Sequence, residues 1–243
     1  MIEVRGLIKR FGAATVLNGI DLTIGRGERI VVIGPSGTGK STLLRCLNFL
    51  DRADAGSIRV GDLSVDVARA SRAEVLALRR RTAFVFQNYA LFANLTARGN
   101  ITEALVTVKG LSKAAANARA DAILGDIGLI DRAEAYPASL SGGQQQRVGI
   151  GRALALEAEL LLFDEPTSAL DPEWVGEVLD LMRRIAEQRQ TMLIVTHEMQ
   201  FAREIADRVL FMEGGGIVEQ GTPAELFDRP RDPRTQAFLR RVR

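Results

Sequence analysis

The stretch Gly34-Pro35-Ser36-Gly37-Thr38-Gly39-Lys40-Ser41 decides the fold, because it matches the phosphate-binding pattern G-x-x-x-x-G-K-[ST]. Glycines let the backbone curl so that successive N–H groups face an anion, and a following helix adds the positive end of its dipole. The continuous apolar run RIVVI at residues 29–33 comes directly before it and predicts a strand buried on both faces. Leucines at helical spacing in residues 42–50 come directly after it. Strand, loop and helix together predict an α/β protein that binds a nucleotide.

The loop's side chains suit the phosphates and the metal ion of a nucleotide. Lys40 brings a positive charge to the β- and γ-phosphates, and the Ser41 hydroxyl suits Mg²⁺. We assign Lys40 a catalytic and Ser41 a metal-binding role. The predicted nucleotide-binding residues of this stretch are Gly34, Pro35, Ser36, Gly37, Thr38, Gly39, Lys40, Ser41 and Thr42.

A second apolar run, LLLF at residues 160–163, ends in two carboxylates, Asp164 and Glu165. Beside a phosphate loop, Asp164 suits the water shell of Mg²⁺, which favours carboxylates. Neighbouring strand residues point to opposite sides, so we expect Glu165 to face elsewhere, toward the attacking water as a general base.

The rest of the chain divides by pattern. Residues 3–9, 19–24 and 56–67 predict β-structure, residues 88–140 are rich in helix formers, and a βα rhythm returns from residue 158. A hairpin is predicted around residues 213–216. The basic end of the chain is expected to form a solvated tail or a terminal helix.

Composition excludes several classes of protein. Apolar residues make up 47% and charged residues 26% of the 243 residues, which argues against disorder. The net charge of +2 gives no support for a nucleic-acid partner. No run approaches the roughly 18 apolar residues of a membrane-spanning helix, and no signal peptide is evident. Cys46 is the single cysteine, which fits a reducing compartment.

The segment LSGGQQQR at residues 140–147, followed by FDEPTSALD at 163–171, resembles the signature of the ABC (ATP-binding cassette) ATPases. The resemblance covers essentially the whole chain. It implies a single ABC ATPase domain with a P-loop NTPase core, in which helices flank a mainly parallel sheet. Residues 1–87 and 141–243 would form this core with an N-terminal antiparallel β subdomain, and residues 88–140 a helical subdomain.

The resemblance also assigns residues outside the phosphate loop. Gln87 matches a glutamine that contacts Mg²⁺ and signals to a permease. His197, the only histidine, matches the switch histidine near the γ-phosphate. The resemblance implies a catalytic role for both residues. Asp171 ends the SALD segment that communicates between subunits. Phe11 matches the aromatic residue that stacks on adenine. Val16 is expected either against the base or ribose or in the core.

In this family two copies face head to tail over two ATP molecules. The resemblance therefore implies that one copy's signature loop closes the phosphate loop of the other, through Ser141, Gly142, Gly143 and Gln144. The expected partners are a second copy, two transmembrane permease subunits and, indirectly, a solute-binding protein, at the cytoplasmic face of the inner membrane. ATP and Mg²⁺ are the implied cofactors, and no nucleic acid is expected.

Within the family the chain is similar to the ATPase subunits of polar amino acid importers, in VFQNYALFANLTARGNITEAL and in THEMQFAREIADRVLFMEGGGIVEQG among other segments. Import of another small polar solute stays open. Gly149 and Gly151 stand where such proteins usually have alanine, which predicts added backbone freedom.

Two other classes of P-loop protein lack support in the sequence. ABC ATPases acting on nucleic acid or ribosomes usually carry tandem cassettes, coiled-coil insertions or zinc motifs, which this chain lacks. A GTPase would need an Asn-Lys-x-Asp string, and no asparagine here precedes a lysine.

Overall fold

A six-stranded sheet forms the centre of the computed structural model, which describes residues 1–242. Its strand order is β10-β9-β3-β8-β7-β6, and all neighbours are parallel except β10, which pairs antiparallel with β9. The strands are β3 (Arg29–Ile33), β6 (Thr82–Val85), β7 (Leu160–Asp164), β8 (Met192–Val195), β9 (Arg208–Glu213) and β10 (Gly216–Gly221). The continuous apolar runs thus form the buried parallel strands, as their sequence predicts.

A second, antiparallel sheet has the order β2-β1-β4-β5. Its strands are β1 (Ile2–Phe11), β2 (Ala14–Ile24), β4 (Ala55–Val60) and β5 (Leu63–Asp66). The two residues between β4 and β5 are the predicted turn, Gly61 and Asp62. The N-terminal antiparallel β-structure is therefore confirmed.

Nine α-helices lie within the described residues. They are α1 (Lys40–Leu47), α2 (Arg72–Arg79), α3 (Ala97–Thr107), α4 (Lys113–Asp126), α5 (Gly142–Ala155), α6 (Pro172–Glu187), α7 (Met199–Ile205), α8 (Pro223–Asp228) and α9 (Pro233–Arg241). The terminal helix α9 buries Leu239, so the basic segment Pro233–Arg241 packs on the protein. No helix among these is long and apolar enough to cross a membrane.

Two hydrophobic cores lie on the two sides of the central sheet. Within β3, Ile30 and Val32 belong to the core shared with the antiparallel sheet and α1, whereas Val31 and Ile33 belong to the core under the helices. This alternation follows from the two-residue period of a strand. The central sheet is thus covered on both faces, and its edge at the carboxyl ends of the strands carries the connecting loops.

Residues 68–86 carry no predicted element, and the structure has α2 and β6 there. A readable signal was present, because Ser71 and Glu74 form a capping box, with the Ser71 side chain accepting from the Glu74 N–H and the Glu74 side chain from the Ser71 N–H. The predicted helix over residues 42–50 instead spans Lys40–Leu47, and Phe49 beyond its end has a left-handed φ of 53°.

Candidate active site

The phosphate loop connects β3 to α1 and needs glycine at two positions. Gly34 has φ 146°, and a Cβ there would lie 2.1 Å from the Met212 carbonyl oxygen. Gly39 has φ 95°, and its Cβ would lie 2.7 Å from the Val16 carbonyl oxygen. A side chain at either position would therefore displace neighbouring backbone. Val16 is half-buried and lies directly against the loop.

Lys40 is buried and folds back onto its own loop. Its Nζ donates to the carbonyl oxygens of Gly34 and Pro35, each at 2.8 Å. Burial lowers the pKa of Lys40, an effect that the nearby carboxylates of Glu165 and Asp164 partly offset. Two neutral carbonyl oxygens thus hold the ammonium group at the centre of the loop. A bound anion would be a stronger acceptor and would replace them.

Asp164 ends β7 and is only 4% exposed. Its Oδ1 has no hydrogen-bond partner among the described residues, and the Arg45 Nε lies 3.8 Å from its Oδ2. Burial raises the pKa of Asp164, and the nearby Ser41 hydroxyl and Arg45 partly offset that rise. A buried carboxylate oxygen without a partner beside a hydroxyl fits Mg²⁺, which takes oxygen ligands and keeps several waters.

Glu165 and His197 come together at the ends of β7 and β8. The Glu165 Oε1 lies 3.0 Å from the His197 Nε2, and its Oε2 accepts a hydrogen bond from the Ser168 hydroxyl at 2.9 Å. Glu165 lies outside the strand and has a left-handed φ of 47°. Strand alternation, on which its predicted direction rested, therefore does not apply to Glu165; the turn after β7 sets its direction.

The order β3-β8-β7-β6 explains why these side chains meet. Parallel strands end at the same edge of a sheet, so the loop after β3, Asp164 at the end of β7 and His197 after β8 lie at one edge. Gln87 follows β6 at the same edge and is exposed. Phe11, at the end of β1, is 50% exposed, and the Lys9 Nζ lies 4.6 Å from its ring centroid.

The signature segment lies at the start of α5. Ser141 caps the helix by accepting from the Gln144 N–H, and the Gln144 Oε1 accepts from the Ser141 N–H. Gly142 and Gly143 form the first turn. Within residues 1–242, no hydrogen bond or ion pair joins residues 141–144 to residues 34–42. Asp171 is exposed before α6.

Two polar residues that hold the segment after β6 in place could not be identified from the sequence alone. Asn100 is fully buried, and its amide bonds to the backbone of Phe92, Leu95 and Thr96. Gln146, also fully buried, donates to the Phe86 carbonyl oxygen. The sequence did offer one indication of both residues. Each is a polar amide at a helix position where the spacing of apolar residues predicts an apolar side chain.

The comparisons with known proteins agree with one another. The sequence profile described as ABC transporter matches residues 17–168. The L-cystine transport system ATP-binding protein TcyN of Escherichia coli (strain K12) is 53% identical, over 98% of this chain and 96% of its own length. The probable amino-acid import ATP-binding protein YxeO of Bacillus subtilis (strain 168) is 52% identical, over 100% of this chain and 97% of its own length.

A solved structure gives the same result for the fold. The dimeric post-hydrolysis structure of the ATP-binding cassette MJ0796, bound to ADP and Pi, has a TM-score of 0.81 and 31% identity. The similarity covers 92% of this chain and 99% of that one. The phosphate loop, the paired carboxylates and the signature segment agree with these similarities. The chain belongs to the ABC transporter family and is an ABC-type ATPase.

Proposed function

We propose that this chain drives uptake of a polar amino acid, as one of two identical ATPase subunits bound to two permease subunits at the cytoplasmic face of the membrane. The observation that carries the proposal is the edge of the sheet where Lys40, Asp164, Glu165 and His197 lie close together. The names of the relatives, which concern transport of cystine and amino acids, support the solute class. A solute-binding protein would act indirectly, by delivering the solute to the permease.

The nucleotide would lie between Phe11 and the phosphate loop. The exposed Phe11 ring offers a face for adenine, with Val16 beside the ribose. Lys40 exchanges the Gly34 and Pro35 carbonyl oxygens for the β- and γ-phosphates, which gives its buried charge an anionic partner. Ser41, Asp164 and Gln87 would hold Mg²⁺, which neutralises charge on the phosphates.

Glu165 would accept the proton of the attacking water. Its carboxylate is oriented on one side by His197 and on the other by Ser168. A base oriented by neighbouring groups is the arrangement that general-base catalysis requires. His197 would also contact the γ-phosphate, so that it senses whether that phosphate is present.

The second copy would complete each site. The 14-residue helix α5 begins with Gly142, Gly143 and Gln144, and Ser141 is its N-cap. The amino end of such a helix favours an anion. These residues make no hydrogen bond to the phosphate loop of their own chain. We infer that they bind the γ-phosphate held by the other copy, and that Asp171 lies at the same interface.

A permease segment would dock in an apolar groove of about 430 Å³ between the core and α3. Phe86, Ala90 and Phe92 line it from the segment that follows β6, and Ala104 and Val108 line it from the helical side. Phe92 is 49% exposed. The groove thus adjoins Gln87, the residue expected to signal to the permease.

The shared site is tested with Glu165→Gln. This variant removes the base and keeps the side-chain size, so Mg-ATP should still bind while hydrolysis falls by about 10²–10⁴-fold. ATP should then trap a dimer that contains two nucleotides, measured by sedimentation. Adding Ser141→Arg should abolish that dimer, because a bulky cation blocks the closing loop.

Normal hydrolysis by Glu165→Gln would remove Glu165 as the base. A trapped dimer that persists with Ser141→Arg would contradict the shared site. The solute class is tested by uptake of labelled L-cystine and other polar amino acids, with Lys40→Ala as the inactive control. If Lys40→Ala left the uptake of every one of these amino acids unchanged, this ATPase would not drive their transport. That result would contradict the proposed solute class.

A further inference from the structure

Residues 86–92, which follow β6, have two sides with different neighbours. Phe86, Ala90 and Phe92 line the groove, whereas Tyr89 reaches the other way. The Tyr89 hydroxyl donates to the Ala169 carbonyl oxygen at 2.9 Å, within the SALD segment before α6. It also lies on the signature segment, because a Cβ at Gly142 would meet it at 2.7 Å.

The backbone around Tyr89 is tied to the signature helix α5. The Gln146 Nε2 donates to the Phe86 carbonyl oxygen at 3.2 Å, and the Arg152 Nη1 donates to the Ala90 carbonyl oxygen at 2.8 Å. A Cβ at Gly149 would lie 3.2 Å from the Tyr89 carbonyl oxygen, so the segment rests directly on the helix. Residues 86–90 therefore move only if these contacts with α5 change.

The turn itself is strained. Tyr89 and Ala90 have φ values of 55° and 49°, in the left-handed region that residues with a side chain rarely adopt. Two such residues in succession persist only when the surroundings hold them. Release of the contacts around Tyr89 would let residues 86–92 relax to another backbone conformation. The segment is therefore suited to switch between two conformations.

We propose that Tyr89 is a positioning residue that links the groove to both loops facing the second copy, the signature segment and the SALD segment. The inference rests on the proposed function, since it requires the shared nucleotide site. A permease segment in the groove would displace Ala90 and its neighbours, and the Tyr89 hydroxyl would carry that displacement to Ala169 and Gly142.

The hydroxyl is suited to this role because it stays a donor. Burial and the nearby Asp171 carboxylate raise the pKa of Tyr89, so the phenol is neutral over the physiological range. The acceptor is a backbone carbonyl oxygen, which a change of side chain at residue 169 would leave in place. The chain has only one other tyrosine, Tyr136, which is 52% exposed on the helical side and serves as the matched control.

The experiment compares Tyr89→Phe and Tyr136→Phe, each in the Glu165→Gln background with Mg-ATP. One neutral hydrogen bond corresponds to about 2- to 12-fold in an equilibrium constant. The bond lies within each copy, so its loss weakens dimerisation through the loops that it positions. With two copies per dimer, Tyr89→Phe should raise the dimer dissociation constant by the square of that factor, about 4- to 140-fold. Tyr136→Phe should leave it unchanged. An unchanged constant for Tyr89→Phe would overturn the proposal.

Further readouts separate positioning from a general loss of structure. Trp174, the only tryptophan, packs against Gly143 and reports on the signature segment by its emission. Because Tyr89→Phe should dimerise more weakly, the ATP-induced change in Trp174 emission should appear only at a higher protein concentration than in the parent. Binding of ATP to the monomer, measured by calorimetry at low concentration, should match the parent. The thermal midpoint should fall by no more than about 1–6 °C, which is what one hydrogen bond contributes in a chain of this size. A larger fall in the thermal midpoint, or weaker binding of ATP by the monomer, would assign Tyr89 a general structural role instead.

Failure of the proposed function would look different. If Glu165→Gln with Tyr89 intact formed no ATP-dependent dimer, the shared site itself would be wrong. If that parent formed the dimer and Tyr89→Phe formed it equally well, only the inference about Tyr89 would be wrong.

Discussion

Asp164 carries a buried carboxylate that is costly to ionise until a cation reaches it. Its pKa in the folded chain lies above the ordinary 3.8 because of burial. The contribution of this group to stability is therefore fully present below about pH 3.8 and is lost as the pH rises through the raised pKa. At neutral pH the nucleotide-free chain bears that cost.

We therefore expect Asp164→Asn to raise the thermal midpoint of the nucleotide-free chain at pH 7.5, with a difference that shrinks as the pH falls toward 4. Each kcal/mol gained corresponds to about 2–4 °C in a domain of this size. Thermal unfolding across pH measures it, with the exposed Asp131→Asn as control. A lower midpoint at pH 7.5 would mean that Ser41 and Arg45 stabilise the carboxylate more than burial disfavours it.

In the proposed function, the exposed Phe11 ring stacks on the base. Such a ring recognises the π-surface of a base rather than its hydrogen-bond pattern. Phe11→Ala should weaken nucleotide binding by about 1–3 kcal/mol, and discrimination between ATP and GTP should be modest. Phe92→Ala is the matched control, since Phe92 is equally exposed but lies in the groove. Equal affinities of Phe11→Ala and the parent in calorimetry would remove Phe11 from the site.

At the scale of elements, two helical glycines differ in what surrounds them. Gly151 in α5 faces the side chains of Ile101, Ile123 and Ile127, and a Cβ would lie 3.0–3.2 Å from them. Gly176 in α6 has nothing within 4 Å of that position. The backbone freedom expected at Gly151 is thus offset by close packing, which is the physical reason for glycine there.

Gly176→Ala should stabilise the chain by about 0.5–1 kcal/mol, because alanine loses less backbone entropy in a helix. Gly151→Ala should instead destabilise it, since overpacking typically costs about 1–3 kcal/mol. The free energy of unfolding from denaturant titration distinguishes the two. A gain for Gly151→Ala equal to that of Gly176→Ala would show that the three isoleucines move aside at no cost.

For the whole molecule, the phosphate loop and the signature segment, which we propose as the two halves of a nucleotide site, share no hydrogen bond or ion pair within residues 1–242. ATP would join them across two copies, so the nucleotide-free chain should sediment as a monomer or a weak dimer. Addition of Mg-ATP to Glu165→Gln should shift it to a dimer. A tight nucleotide-free dimer that Ser141→Arg disrupts would show that the same surfaces close without ATP.

Local pattern was enough to predict most elements. The apolar runs at residues 29–33, 160–163 and 192–195 become buried parallel strands, because a continuous apolar run fits a sheet covered on both faces. The α2–β6 segment was not assigned because its helix has only eight residues and buries one of them, Leu78. Division of the chain at residue 140 stays a prediction, since α5 packs against α3 and α4 from the other side of that boundary.

The sequence by itself determined which chemical groups stand at the ends of strands: a lysine and a serine after one, paired carboxylates after another, a histidine after a third. Those follow from residue types and short spacings, which local physics governs. Only the tertiary structure decided that the strand order β3-β8-β7 unites them, that a left-handed turn aims Glu165, and that Tyr89 reaches Ala169, 80 residues away in the chain. Contacts between residues so far apart depend on how whole elements pack, and no periodicity within a segment encodes them.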